Sequence, residues 1–324
     1  MNVRWGIAGP GAIADGFANG LAELPDARLV AVGSRALERA KVFADRHGGA
    51  RAYGSYAAMA ADPEVDAVYV ATVQSRHMED TLMFLEAGKH VLCEKPFALN
   101  EAQGRRMIDT ARANGVFVME ALWSRFLPAY VKIRELVAEG AIGTPNYVEA
   151  EFGFIREFDP THRLFDLAQG GGSLLDLGIY PIHLAQMVLG EPDRVRAVGH
   201  LGASGVDECT AAVLGFPSGG VAVVKSALNT NMTFTGRVCG TEGTIEVPVI
   251  FHCPNSLVLS RGRDRTDIPC PIDGQGLKYQ AVEVHRCIRE GLLESPVMPH
   301  RDTLAMARTM DAIRSAIGLV YPGE

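Results

Sequence analysis

Over 324 residues, 38 Asp and Glu stand against 31 Lys and Arg, a formal charge of -7 that gives no long-range attraction to nucleic acid or an anionic membrane surface. A hydrophobic content of 48% suits one or two buried cores, and no apolar run reaches the eighteen or so residues that span a bilayer, so a cytoplasmic protein is expected. The six cysteines (Cys93, Cys209, Cys239, Cys253, Cys270 and Cys287) form no CxxC pair, which reads as free thiols in a reducing compartment.

The first 120 residues alternate short apolar runs with helical patterns. Residues 3–9, 27–34, 66–72, 89–94 and 115–120 read as strands; 13–22, 36–47, 77–87 and 100–114 read as helices. Strands apolar on both faces, separated by helices that can cover them, predict a parallel βαβ sheet. After Glu120 a loop leads into a helix that runs to Gly140, and then a strand follows over 146–155. A glycine-opened helix spans 173–189, the region 194–260 is rich in strands and turns, and two helices over 279–290 and 301–318 close the chain. The expectation is α/β: a Rossmann dinucleotide-binding domain over 1–120, then an α/β domain over 121–324 with a large open, predominantly antiparallel sheet. The last helices are free to pack back on the first domain.

Gly9-Pro10-Gly11-Ala12-Ile13-Ala14 follows the first strand and opens a helix. The first glycine permits the tight turn, the second lets backbone approach a pyrophosphate, and the small third residue lets helix and strand pack closely. The second strand ends on Ser34 and Arg35, with Arg39 one turn on, where an NAD site carries an acid. Serine and arginine donate hydrogen bonds to a 2′-phosphate that an acid would repel, so NADP is the expected cofactor.

Glu94-Lys95-Pro96 ends the fourth strand at the carboxyl edge of the sheet, where ligands bind in open α/β folds. His77 stands at the same edge, either facing substrate or donating to a neighbouring turn. Ser173 and Asp176 fit a helix-capping pair, and Asp176, Tyr180 and His183 fall at i, i+4 and i+7 beside the awkwardly placed Pro181. Trp123, Arg125, Phe152, Phe154 and Tyr279 are candidate walls of a substrate pocket. No histidine spacing supports a metal site, and no GxSxG supports a serine hydrolase.

In this order, these motifs and GGGSLLDLGIYPIH over 170–183 resemble the Gfo/Idh/MocA oxidoreductase family along almost the whole chain. MEALWSRFLP and Tyr180 are similar to its dihydrodiol dehydrogenase and D-xylose dehydrogenase branch. The resemblance implies that Glu94 and Lys95 border the nicotinamide, that Pro96 follows a cis bond, and that Lys95, Asp176 and Tyr180 are catalytic. It also implies homodimerisation through the second-domain sheet. Thr72 and His77 match the family turn after the third strand, whereas Val73 and Gln74 depart from it.

The expected reaction moves a hydride between NADP and a secondary alcohol or anomeric carbon of a small diol or aldose. Tyr180 then exchanges the hydroxyl proton while Lys95 orients the hydroxyl and tunes Tyr180, with the opposite assignment also open. A ketosugar reductase and a non-catalytic NADP-binding regulator are the alternative readings.

Overall fold

In the computed structural model, which describes residues 2–324, strand β1 (Val3–Ala8) hides Trp5, Ile7 and Ala8 completely. Such burial on both faces is what a central parallel strand requires. The chain continues through α1 (Ala12–Ala22), β2 (Ala27–Gly33), α2 (Leu37–Arg46), β3 (Arg51–Tyr53), α3 (Tyr56–Ala60) and β4 (Ala67–Val70). Then come α4 (His77–Glu86), β5 (His90–Glu94), α5 (Glu101–Ala113) and β6 (Val118–Ala121). The strands pair in the order β3-β2-β1-β4-β5-β6, all parallel, so the order reverses between β1 and β4. That crevice is where a Rossmann sheet binds its ligand.

Phe17 of α1 stacks on Tyr69 of β4 at 3.9 Å and meets Trp5 edge-on at 5.2 Å, which ties helix to sheet. Helix α5 begins with a reciprocal cap: Asn100 Oδ1 accepts the Gln103 N–H at 2.9 Å, and Gln103 Oε1 accepts the Leu99 N–H at 3.2 Å. Sequence periodicity does not reach β3 and α3, because three and five residues are too short to show a period.

A second group of elements follows: α6 (Pro128–Ala138), with proline in its first turn, and β7 (Pro145–Gly153). A π turn over Leu174–Gly178 runs directly into α7 (Ile179–Leu189). Strands β8 (Arg194–Leu201), β9 (Asp207–Gly215), β10 (Val221–Ala227), β11 (Gly236–Gly240), β12 (Thr244–Val247), β13 (Ser256–Arg261) and β14 (Asp264–Pro269) complete it. The sheet order is β14-β13-β12-β11-β7-β10-β9-β8, antiparallel except for the β7–β10 pair. One face buries Val148, Ala150, Ala212, Leu214, Val224 and Val238, with α7 packed against β7, β10 and β11. The other face exposes Val198 and Val213, and there Lys225 reaches Glu149 and Glu151.

Helices α8 (Lys278–Arg289) and α9 (His300–Ile317) end the chain. By contact density the molecule divides into two units: the chain up to Trp123 with Asp273–Thr303, and Ser124–Ile272 with Leu304–Glu324. Within the first unit, Trp5 Nε1 donates to His285 Nε2 of α8 at 2.9 Å, and Lys278 pairs with Glu23 at 2.7 Å.

Gly9 closes the turn after β1 at φ +89°, and a Cβ there would lie 2.7 Å from the Ala71 carbonyl oxygen. Gly9→Ala is therefore expected to lose roughly 2–4 kcal/mol of stability through strained backbone and overpacking. An unchanged urea midpoint would show that this turn has slack.

Candidate functional site

In the first unit, the turn after β1 delivers Gly11 as the N-cap of α1, with no side chain closing the cap. The leading N–H groups of Ala12, Ile13 and their neighbours thus form the kind of helix start that receives phosphate. A Cβ on Gly11 would meet nothing within 4 Å, so its backbone borders open space, and a cavity beside it is lined by Pro10, Asp15, Arg39, Phe43 and Arg46. Ser34 is buried at the end of β2, where its Oγ accepts the Ala36 N–H at 3.3 Å. Arg35, Arg39 and Arg76 all lie close enough to Tyr56 to favour its ionised form, although burial dominates and pushes that phenol up. Tyr56 and Arg76 thus stand beside Arg35 and Arg39 at this edge, with Arg76 itself paired with Glu79 and Asp80. Thr72 Oγ1 is buried without a hydrogen-bond partner among the described residues at the end of β4. A helix N-terminus, a basic edge and an orphaned hydroxyl all fit a dinucleotide.

The Lys95 turn is held from several directions. Glu94 accepts the Tyr69 hydroxyl and the Lys95 N–H, the latter at 3.1 Å. Glu120, ending β6, accepts the Phe97 N–H at 3.0 Å. His77 faces the Pro96 carbonyl with Nδ1 at 2.8 Å and the Thr72 carbonyl with Nε2 at 3.1 Å, and burial holds its pKa below the usual histidine range. His77 therefore braces the turn, the second of its two expected uses. The Lys95–Pro96 bond is cis. Glu120 went unnamed in the sequence, although the rule that parallel strands deliver their last residue to the ligand edge applies to it as it does to Glu94.

The second unit gathers another set. Asp176, 7% exposed, forms a fork with Arg163 at 3.1 and 3.2 Å. The Tyr180 ring lies 5.7 Å from Phe152 and 5.0 Å from His252, and Phe152 stacks on His252 at 4.4 Å with Phe154 at 6.3 Å. Arg163 opens a three-residue 3-10 turn and His252 sits in a turn, both too short to carry a periodic signal.

Ser173 does not cap the helix as its spacing predicts: its hydroxyl donates to Asp207 at 2.6 Å, and the segment begins as a π turn. His183 leaves the expected polar stripe. It is fully buried, stacks on Tyr130 at 5.4 Å, and is held neutral by burial and by Arg125 and Arg134. Trp123 falls in a 3-10 turn at the end of the first unit, and Arg125 is buried at the start of the second. Tyr279 lies on α8 of the first unit, its hydroxyl accepting the Asp273 N–H at 3.0 Å. Among the described residues no three His, Cys, Asp or Glu gather into a metal-holding group.

Asp207 opens β9 and is fully buried. Its Oδ2 accepts from Ser173 Oγ, from the Leu174 N–H at 2.8 Å and from Thr210 Oγ1 at 2.9 Å. Gly172 approaches it at φ +120°, where any Cβ would collide with Asp207 Oδ1, and a Cβ on Gly171 would meet the Arg163 and Leu164 carbonyls at 2.7 Å. Gly171 and Gly172 are thus packing requirements.

A parallel sheet with its glycine turn at the point of strand reversal defines a dinucleotide-binding protein. Residues 3–122 match the family described as oxidoreductase family, NAD-binding Rossmann fold, and residues 130–246 match the GFO/IDH/MocA C-terminal domain. The chain belongs to the Gfo/Idh/MocA oxidoreductase family. A trans-1,2-dihydrobenzene-1,2-diol dehydrogenase from Xenopus tropicalis is 39% identical over 332 residues, covering 99% of this chain and 100% of that one. The crystal structure of an aldose-aldose oxidoreductase from Caulobacter crescentus, complexed with glycerol, superposes with a TM-score of 0.88 at 30% identity over 98% of this chain and 97% of that one. A 3-ketoreductase from Actinomadura kijaniata, in complex with NADP, gives 0.85 at 27% identity over 98% of both chains.

Burial raises the Asp207 pKa from its ordinary 3.8 to about 6 against the pull of its three donors. Its contribution to stability is fully present below the unfolded value and is lost as pH rises through about 6, a loss of roughly 3 kcal/mol. Asp207→Asn keeps an acceptor and removes the charge. Its unfolding free energy should therefore rise relative to wild type between about pH 4 and pH 7, and a pH-independent difference would refute the assignment.

Proposed function

We propose that the chain is an NADP-dependent dehydrogenase acting on a secondary alcohol or anomeric carbon of a small diol or aldose, of the trans-dihydrodiol or D-xylose type. The observation that carries the reading is Tyr180 set among aromatic rings beside the Asp176–Arg163 fork, in a chain 39% identical to a dihydrodiol dehydrogenase. Ser34 and Arg35 directly after β2, with Arg39 on α2, support NADP over NAD, since serine and arginine occupy the position after β2 that an NAD site gives to an acid.

When bound, the nicotinamide dinucleotide supplies the hydride chemistry. Gly9, Gly11, Ala12, Ile13, Thr72 and Glu94 are the remaining residues assigned to holding it. Tyr180 is assigned the exchange of the substrate hydroxyl proton, Lys95 the orientation of that hydroxyl, and Asp176 the fixing of the polar cluster through Arg163. Trp123, Arg125, Phe152, Phe154 and Tyr279 are assigned to the substrate, with His183, enclosed against Tyr130, as a structural support. The braced backbone around Lys95 supports its role, because a group that must aim at a reacting atom needs a turn with little freedom.

The reverse reaction, reduction of a ketosugar, is the second reading, favoured by the likeness to a 3-ketoreductase. The bare valine-bearing face of the eight-stranded sheet supports a homodimer formed through it, and six free cysteines support a reducing cytoplasmic setting.

Turnover with trans-dihydrodiols, xylose, glucose and ketosugars, with NAD and NADP in both directions, tests the function. No turnover of any of them sinks it. Lys95→Met and Tyr180→Phe should each lower kcat by roughly 10²–10⁴ while NADP binding persists. Arg39→Ala should raise the KM for NADP about tenfold or more and leave that for NAD nearly unchanged. Sedimentation should give twice the 34.8 kDa chain mass, falling to one chain in Val213→Lys; a monomeric wild type would refute the dimer.

A further inference from the structure

Asp207 has no place in the reading above, and its position is costly. All three of its donors converge on Oδ2, while Oδ1 is buried without a partner among the described residues. An amide would accept the same three hydrogen bonds with no charge to desolvate, so stability alone does not favour an acid here. What the carboxylate gains is strength: hydrogen bonds to an ionised acceptor are roughly twice as strong as neutral ones.

Those bonds are spent at one place. Ser173 and Leu174 are the N-cap and first residue of the π turn, two or three positions ahead of Asp176 and six or seven ahead of Tyr180. Ser173 Oγ also meets Ser226 Oγ of β10 at 2.9 Å, and Thr210, three residues along β9 from Asp207 and paired with Ser226, donates to the same carboxyl. On the approach side, the Tyr321 hydroxyl donates to the Gly171 carbonyl at 2.7 Å. The chain entering the π turn is therefore fixed to β9, β10 and the C-terminal segment, all within the second unit. π turns interrupt the helical ladder and so redirect the side chains that follow them.

We propose that Asp207 is a positioning residue whose carboxyl pins the start of the π turn and thereby sets where Asp176 and Tyr180 stand. This rests on the reading that those two residues serve the reaction. Asp207 itself is enclosed and acts only through Ser173 and Leu174.

The test uses the full chain as Asp207→Ala, Asp207→Asn and Ser173→Ala, with two readouts. One is steady-state kinetics with NADP and whichever alcohol the wild type turns over. The other is the ring resonance of Tyr180 in ¹³C-tyrosine-labelled protein, assigned by its loss in Tyr180→Phe, which needs neither cofactor nor turnover. Asp207→Ala should lower kcat about tenfold or more with the KM for NADP within about twofold, and should shift or split the Tyr180 line. Asp207→Asn should return the line to its wild-type position and recover most of kcat, because it restores the acceptor. Ser173→Ala, which removes one donor, should move both readouts the same way by less. If Asp207→Ala does not fold, Ser173→Ala and Asp207→Asn decide between them. A folded Asp207→Ala or Ser173→Ala with an unmoved Tyr180 line overturns the proposal, as does an Asp207→Asn line displaced as far as that of the alanine variant. A wild type with no turnover would defeat the proposed function, while the resonance still decides the positioning role.

Discussion

The turn bearing Lys95 depends on two carboxylates buried at the ends of neighbouring strands. Glu94 ends β5, and Glu120 pairs with Cys93 one position before it. Two carboxyl groups so placed in a protein interior lose their hydration, a cost that hydrogen-bond donors must offset. Tyr69 of β4 donates to Glu94, and the turn supplies the Lys95 N–H to Glu94 and the Phe97 N–H to Glu120, on either side of Pro96, which has no N–H to give. The carboxylates thereby dictate the backbone path. His77 closes the remaining side through the Pro96 carbonyl.

The second unit solves a similar problem with a single acid. Asp207 collects the N–H and hydroxyl groups at the head of the π turn, and Gly171 and Gly172 supply the only side-chain-free backbone that can pass so close. The same turn accounts for Pro181. A proline inside an α-helix removes one ladder hydrogen bond, and here it falls at the third residue of α7, where the ladder has just changed from π to α spacing. The missing N–H thus costs less than it would in mid-helix.

Much of this was legible in the sequence, and what escaped did so for physical reasons. The parallel sheet, the glycine turn and the open second sheet are written in residue patterns that repeat every two or every 3.6 positions. Pro181 signalled a distorted helix. The Ser173 spacing misled because the sequence cannot show that its hydroxyl donates to Asp207, 34 residues away, or that the segment it opens begins as a π turn. His183 misled likewise: position on a helix gives a direction but not whether Tyr130 waits there. Arg163, His252 and Asp207 are partners across loops, and such pairings arise only once the chain is folded.

The surroundings of Tyr180 explain why the substrate is harder to read than the fold. Phe152, on the β7 strand at the middle of the sheet, lies within reach of Phe154, Tyr180, Phe234, Phe251 and His252, which together make a wall of rings. Beside it stands one ion-paired carboxylate, Asp176. A pyranose presents an apolar C–H face and a polar hydroxyl edge, and so does a cyclohexadiene diol, so rings of this kind receive either. Apolar fit discriminates by roughly 10–200-fold, whereas a site built to hold a particular hydroxyl rejects its absence by roughly 10⁴–10⁵. On the proposed placement of substrate beside Tyr180, the choice between sugar and diol lies with the few polar groups there, among them Arg163, which pairs with Asp176 and stays half exposed.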